Sequence, residues 1–214
     1  MDRLMGRRMF LRTAVAGAGF FAASRTLFGA KQCEEPVSTM TPMGEQPIEV
    51  CTAGITSVTF KQAFQQQNEW CWAACISMVF EYYHHPVDQR RIVEETWGTV
   101  ANMPGMPRDL MRDLNKKWTD DAGHSFQCQG DLVSANANTA IQDLIDNHPL
   151  IIGAMGHATV LTAIVSEVDT ATSQYEIQQV IVRDPWPGSG GRRPLSPREW
   201  ASIEFAARIR VADV

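Results

Sequence analysis

Metal-ligand signatures are missing from this 214-residue chain: it has no Cys-x-x-Cys and no His-Glu-x-x-His spacing, so no bound zinc is expected. No Gly-Lys-Ser/Thr follows the run Gly188-Ser189-Gly190-Gly191, which leaves a flexible loop there and excludes a phosphate cradle. A basic excess is lacking too. The formal net charge is −5, the wrong sign for the positive face of a nucleic-acid binder. Internal repeats and low-complexity tracts are absent. What is there has the balance of an ordinary globular protein, 44% hydrophobic and 20% charged. That excludes a disordered, collagen-like or polytopic membrane chain.

The charge is unevenly placed. Arg3, Arg7, Arg8, Arg12 and Arg25 against Asp2 give residues 1–30 a local +4, leaving −9 on the other 184 and −5 overall. Within that stretch, Gly6-Arg7-Arg8-Met9-Phe10-Leu11-Arg12 precedes a short apolar run from Thr13 to Ser24. A basic segment followed by an apolar one too short to span a bilayer comfortably has the grammar of an export signal. The arginine pair followed by Met-Phe-Leu-Arg resembles the twin-arginine export signal. The resemblance implies a periplasmic or secreted protein that folds before export and keeps no stable membrane association once the signal is removed. Neither Ala22-Ala23-Ser24 nor Phe28-Gly29-Ala30 marks a clean cleavage site.

Residues 31–49 are rich in Pro, Thr, Ser, Met and Gln without an apolar period and are expected to form a mobile linker, with the folded domain over 50–214. Five cysteines follow the signal: Cys33, Cys51, Cys71, Cys75 and Cys128. An odd count in an exported chain points to one working thiol plus disulfides, whose pairing the sequence leaves open.

Residues 71–83 are apolar almost all round, the mark of a buried helix, and Pro86 forces its end. Helices are also expected over 88–97, closed by Gly98, over 108–118, and over 138–147 before Pro149. Beyond that point the period changes. A short apolar run, Leu150-Ile151-Ile152-Gly153-Ala154, is followed by β-branched stretches at 158–168 and 175–183 that flank a polar turn, a hairpin signal; a last strand is expected over 205–211. Helices first and antiparallel strands afterwards predict an α+β domain with a helical N-terminal lobe packed on a β-sheet lobe.

The chemistry concentrates where the buried helix begins. Cys71 sits at the first turn, where unpaired backbone N–H groups and the positive end of the helix dipole favour a thiolate. A nucleophilic thiol needs a base, an orienting group and oxyanion donors. His157 follows Gly156, a position needing little side-chain volume, and opens a strand. Asp184 ends the hairpin partner. Antiparallel pairing brings these two together across 27 positions, and a carboxylate there would fix the imidazole's tautomer and stabilise its cation.

These residues resemble the papain-like cysteine peptidases. Gln65, six positions before Cys71-Trp72-Ala73, matches the side-chain amide that supplies that family's oxyanion hole together with the nucleophile's N–H. Trp70-Cys71-Trp72-Ala73-Ala74 is similar to the bacterial branch that contains bacteriocin-processing-peptidase-like domains and secreted effector proteases of plant pathogens. Gly156-His157-Ala158 resembles its base, and Asp184-Pro185-Trp186 its third member, with Trp186 either a shield over the pair or a platform for substrate. The resemblance implies a two-lobed papain-like fold whose cleft lies between the catalytic helix and the sheet. Glu69-Trp70 replaces the Gly-Ser pair of papain, the upstream disulfide cysteine of papain is absent, and Gln66 and Gln67 compete with Gln65. Nothing resembles the transporter segments fused to bacteriocin-processing peptidases, so a dedicated leader-peptide role is not expected.

Other candidates have plainer readings. Cys75 is expected in the core or in a disulfide, His84 and His85 at the helix C-terminus as dipole caps, His124 and His148 on the surface. Arg192 and Arg193 receive no role. The expectation is an exported thiol peptidase acting on a peptide or protein substrate through Cys71, His157, Asp184 and Gln65, without a cofactor or metal. The same triad also serves acyl transfer and deamidation; a non-catalytic peptide-binding module and a toxin delivered into another cell are the further alternatives. Oligomeric state is left open.

Overall fold

Twelve residues with few polar side chains form the central helix, α1 (Cys71–Tyr82), of which Trp72, Ala73, Ala74, Cys75, Ile76, Met78, Val79, Phe80 and Tyr82 are buried. Each large apolar side chain taken out of water in this way contributes roughly 1.5–3 kcal/mol. No side chain caps the start of α1, because the residue before it is Trp70. In the computed structural model of the protein, residues 30–41, 44–55, 60–133 and 136–214 are described; the export-signal motif lies outside them.

Among the described residues, an antiparallel sheet of ten strands packs against this helix. Its path runs β1 (Ala30–Cys33), β3 (Gly44–Gly54), β7 (His157–Asp169), β6 (Leu150–Ala154), β10 (Ile203–Asp213), β5 (Ser125–Val133), β4 (Lys117–Thr119). Three strands lie off that path: β2 (Val37–Thr41) on β3, β8 (Gln174–Arg183) on β7, and β9 (Arg192–Pro194) on β8. The spine is β7. One edge pairs β6 through Leu161 and then β3 from Ala163 onward; the other pairs β8. The first half of β7 is buried on both faces, where α1 packs on it, and the second half alternates, as a strand does when only one face meets the core.

Among the other helices, α2 (Gln89–Trp97) begins at Asp88, whose side chain accepts from the Arg90 N–H at 2.8 Å, and ends at Gly98 with φ 71°. Both ends follow the sequence signals. The next, α3 (Pro107–Asp113), is shorter than the expected 108–118. Trp118 falls instead in β4, where its indole donates to the Asp113 carbonyl at 2.8 Å and meets Phe80 edge-on. A helical spacing ending on an aromatic fits a turn into a strand equally well, and tertiary packing decided it. The remaining helices among the described residues are α4 (Ala137–Ile145) and α5 (Pro197–Ala201).

Two expectations need correction. Residues 31–49 hold most of β1, all of β2 and the start of β3, not a mobile linker. Cys33 faces Cys51 across the β1–β3 ladder and the two form a disulfide, while β3 pairs β7 from Ile48 to Gly54. Main-chain pairing and a crosslink hold this polar segment, which burial of its own side chains could not do; the N-terminal part of the domain is therefore strand as well as helix. His85 is buried, not a helix cap. Its Nδ1 lies 3.2 Å from Asp120 and its Nε2 2.9 Å from Asp213, with the ring stacked on Phe126.

Candidate functional site

The turn between β6 and β7 has only two central residues, Met155 (φ 55°) and Gly156 (φ 76°), with Ala154 opposite His157. Two consecutive positive φ values give the tight hairpin turn that matches strand twist, and glycine serves the second position at no steric cost. A Cβ on Gly156 would meet nothing within 4 Å. The glycine beside His157 therefore answers a backbone requirement, not the volume requirement expected. The turn delivers His157 as the first residue of β7.

Asp184 follows the end of β8, where Arg183 pairs Val160. The register sets the two candidate side chains side by side: His157 Nε2 lies 2.8 Å from Asp184 Oδ1. Burial raises the cost of the Asp184 charge, but donors from His157, the Trp186 backbone N–H and Arg193 hold its carboxyl below the ordinary range. An ionised carboxylate only accepts, so Nε2 carries the proton and donates. Nδ1 is then the ring nitrogen left for Cys71. Burial opposes a charge on His157, yet hydrogen bonds with Asp184 and Cys71 outweigh it and lift its pKa to about 9. An imidazolium at neutral pH thus stands beside Cys71 at the uncapped N-terminus of α1.

Three cysteines are free, and only Cys71 is partly exposed. Burial pushes Cys128 up to about 12 and Cys75 well above its usual value, the latter helped by the neighbouring Cys71 and Asp184 charges. Neither is poised to react at neutral pH.

Gln65 is buried and lies in the loop before α1, tied to the Asp184 side by its backbone N–H donating to the Pro185 carbonyl at 2.8 Å. Gln62 adds a second tie, donating to the Asp184 carbonyl at 2.9 Å. The Gln65 amide does not point as an oxyanion donor should: Nε2 donates to the carbonyls of Gln67 at 2.9 Å and Asn68 at 2.7 Å. Its Oε1 is buried with no hydrogen-bond partner among the described residues. Gln66 donates to Asp88 at 3.3 Å and leads away from the site. The structure thus joins Cys71, His157 and Asp184, with Gln65 adjacent but turned back onto its own loop.

Arg193 has contacts the sequence did not announce. Its Nε donates to Asp184 Oδ2 at 2.6 Å, and Nη2 and Nη1 reach Glu199 at 2.7 and 3.2 Å. The available signal was Ser196-Pro197-Arg198-Glu199, a capping box with proline at the first helical position, which fixes Glu199 where Arg193 can reach it. With His157, Asp184, Trp186, Gly188 and Ser189, Arg193 lines an open cleft of about 390 Å³. Trp186 is 49% exposed, so its indole walls the cleft instead of sealing the His157–Asp184 pair. Among the described residues the one group with metal-ligand spacing is Cys33, Glu49 and Cys51, and the disulfide takes both of its sulfurs.

A family model described as "Peptidase_C39 like family" matches residues 58–207, a span that includes Gln65, Cys71, His157 and Asp184. No curated protein matches the chain. Among solved structures, the chain is similar to a double glycine motif protease from an AMS/PCAT transporter in complex with the leader peptide, at 16% identity and TM-score 0.45, covering 75% of this chain and 98% of that one. It is also similar to the peptidase domain of Streptococcus ComA, a bi-functional ABC transporter involved in a quorum-sensing pathway, at 16% identity and TM-score 0.47, covering 72% and 99%. A third, UfSP from C. elegans, shares 12% identity at TM-score 0.43, covering 88% of this chain and 35% of that one.

Proposed function

The chain belongs to the Peptidase_C39 like family, and on that premise we propose that it is an exported thiol peptidase that hydrolyses peptide or isopeptide amide bonds through Cys71, His157 and Asp184. The observation that carries this reading is the 2.8 Å bond from His157 to Asp184 on a ring whose pKa its Asp184 and Cys71 partners lift to about 9. His157 Nδ1 holds the proton given up by the Cys71 thiol, and the Cys71 sulfur attacks the carbonyl carbon. The carbon–nitrogen bond then breaks as His157 returns the proton to the leaving amine. Water attacks the thioester, His157 taking its proton, and the acid leaves with the sulfur protonated again. The uncapped first turn of α1 supplies the Cys71 N–H to the oxyanion, worth about 10²–10³ in rate for one donor. Gln65 is the second donor once its amide swings off the Gln67 and Asn68 carbonyls, a rotation about a soft terminal torsion. Export is supported by the Cys33–Cys51 crosslink, since such bonds persist mainly in oxidising compartments.

The test is a peptide-library cleavage profile of the mature protein in reductant, beside a Cys71→Ala control. Cleavage that vanishes in the control supports the reading; a Cys71→Ala protein with unchanged biological effect identifies a binding module. Appearance of amine-capped products when a primary amine is added would reassign the reaction to acyl transfer.

A further inference from the structure

Arg193 stands between two carboxylates that belong to different parts of the fold. Asp184 directly follows β8 and accepts the hydrogen bond from His157; Glu199 lies in the first turn of α5. Four of the five guanidinium N–H groups are engaged within the protein. Nε meets Asp184 Oδ2, Nη1 meets Glu199 Oε2 and the Pro194 carbonyl, and Nη2 meets Glu199 Oε1. A guanidinium so committed is poorly placed to bind substrate and well placed to hold a neighbour, because its planar fork fixes direction as well as charge. Glu199 is itself held: its Oε2 accepts from the Ser196 N–H at 2.8 Å and the Ser196 hydroxyl at 2.7 Å. Asp184 has its other oxygen fixed by His157 and by the Trp186 N–H, each at 2.8 Å. The result is one chain of contacts from the α5 capping box through Glu199, Arg193 and Asp184 to His157.

We propose that Arg193, clamped by Glu199, is a positioning residue that locks the Asp184 carboxylate in the orientation that serves His157. The inference rests on the peptidase reading of the same site. Without the clamp, Oδ2 of a mostly buried carboxylate is left without a donor, and Asp184 is free to turn toward solvent. His157 then loses the partner that fixes its tautomer and supports its cation, and the Cys71 sulfur loses the imidazolium beside it.

The experiment measures the rate at which iodoacetamide alkylates Cys71, read by intact mass at pH 6 and pH 10. It compares the wild type, Arg193→Met, Glu199→Gln and His157→Ala. Arg193→Met is expected to slow alkylation about tenfold at pH 6, where the His157 cation assists the sulfur. At pH 10, where thiols ionise unaided, its rate should match the wild type. Glu199→Gln, which leaves Arg193 and Asp184 in place but removes one charge of the clamp, should lose about threefold at pH 6 only; it decides the matter if Arg193→Met does not fold. Wild-type rates at pH 6 in both clamp variants, with His157→Ala slow, overturn the clamp while leaving the peptidase reading intact. An equal loss at both pH values means general disruption and overturns it as well. A His157→Ala protein as fast as wild type at pH 6 removes both.

Discussion

Cys71 shares its helix with Cys75, one turn away and fully buried, and the two differ in what reaches them. Solvent and the His157 ring reach Cys71, while Cys75 and Cys128 are buried away from solvent. Stoichiometric iodoacetamide at pH 7 should therefore give a single adduct, and peptide mapping should place it on Cys71; an adduct on Cys128 would contradict the site. The His157 ring offers a second test. Its pKa of about 9 depends on Asp184 and Cys71 as partners. Asp184→Asn should lower kcat at pH 7 by about 10²-fold. It should also bring the basic limb of kcat/KM down from near pH 9 toward the unperturbed imidazole value of about 6.5. An unmoved limb would mean that some other group titrates there.

At the scale of elements, the β6–β7 turn joins fold to chemistry. Gly156 sits at φ 76° with free space where a Cβ would go, so Gly156→Ala suffers only the left-handed backbone. The expected cost is about 1–2 kcal/mol in urea unfolding, with a further loss of kcat because His157 starts at the next residue. Gly105 is constrained differently: a Cβ there would lie 2.5 Å from the Trp72 ring. Gly105→Ala should destabilise by about 1–3 kcal/mol through overpacking, read in the same assay. The sequence disclosed these elements unequally. Asp88 and Gly98 bound α2 because capping is local chemistry, and the β7–β8 register that joins His157 to Asp184 followed from two β-branched runs. The N-terminal strands stayed hidden because their stability lies in partners, β7 and a disulfide, that no local window contains. The Gln65 amide stayed hidden for a related reason. Residue type gives the donor, but the carbonyls of Gln67 and Asn68 decide where it points.

For the whole molecule, the raised His157 and lowered Asp184 act at opposite ends of the pH scale. A group whose folded pKa is raised stabilises fully below its unfolded value and loses that contribution as pH climbs through the folded one. From His157, stability should fall between about pH 6.5 and 9. From Asp184 it should fall on the acid side, below about pH 4, as the carboxylate is protonated. Thermal melts across pH 6–10 should show the alkaline decline in the wild type and a flatter line in His157→Ala.

The Cys33–Cys51 crosslink closes a separation of 18 residues, and closing a loop of that size is worth about 3 kcal/mol in the chain-entropy model. Cys33 lies exposed while Cys51 is buried, so one sulfur of the bridge is open to attack. Dithiothreitol added to keep Cys71 reactive will also cut the bridge between the first strand and the third, leaving main-chain pairing alone to hold them. An assay run that way reports on a molecule with a loosened collar. Weak monothiols, or a Cys33→Ser, Cys51→Ser pair run as a control, would separate the nucleophile's need for electrons from the scaffold's need to be without them.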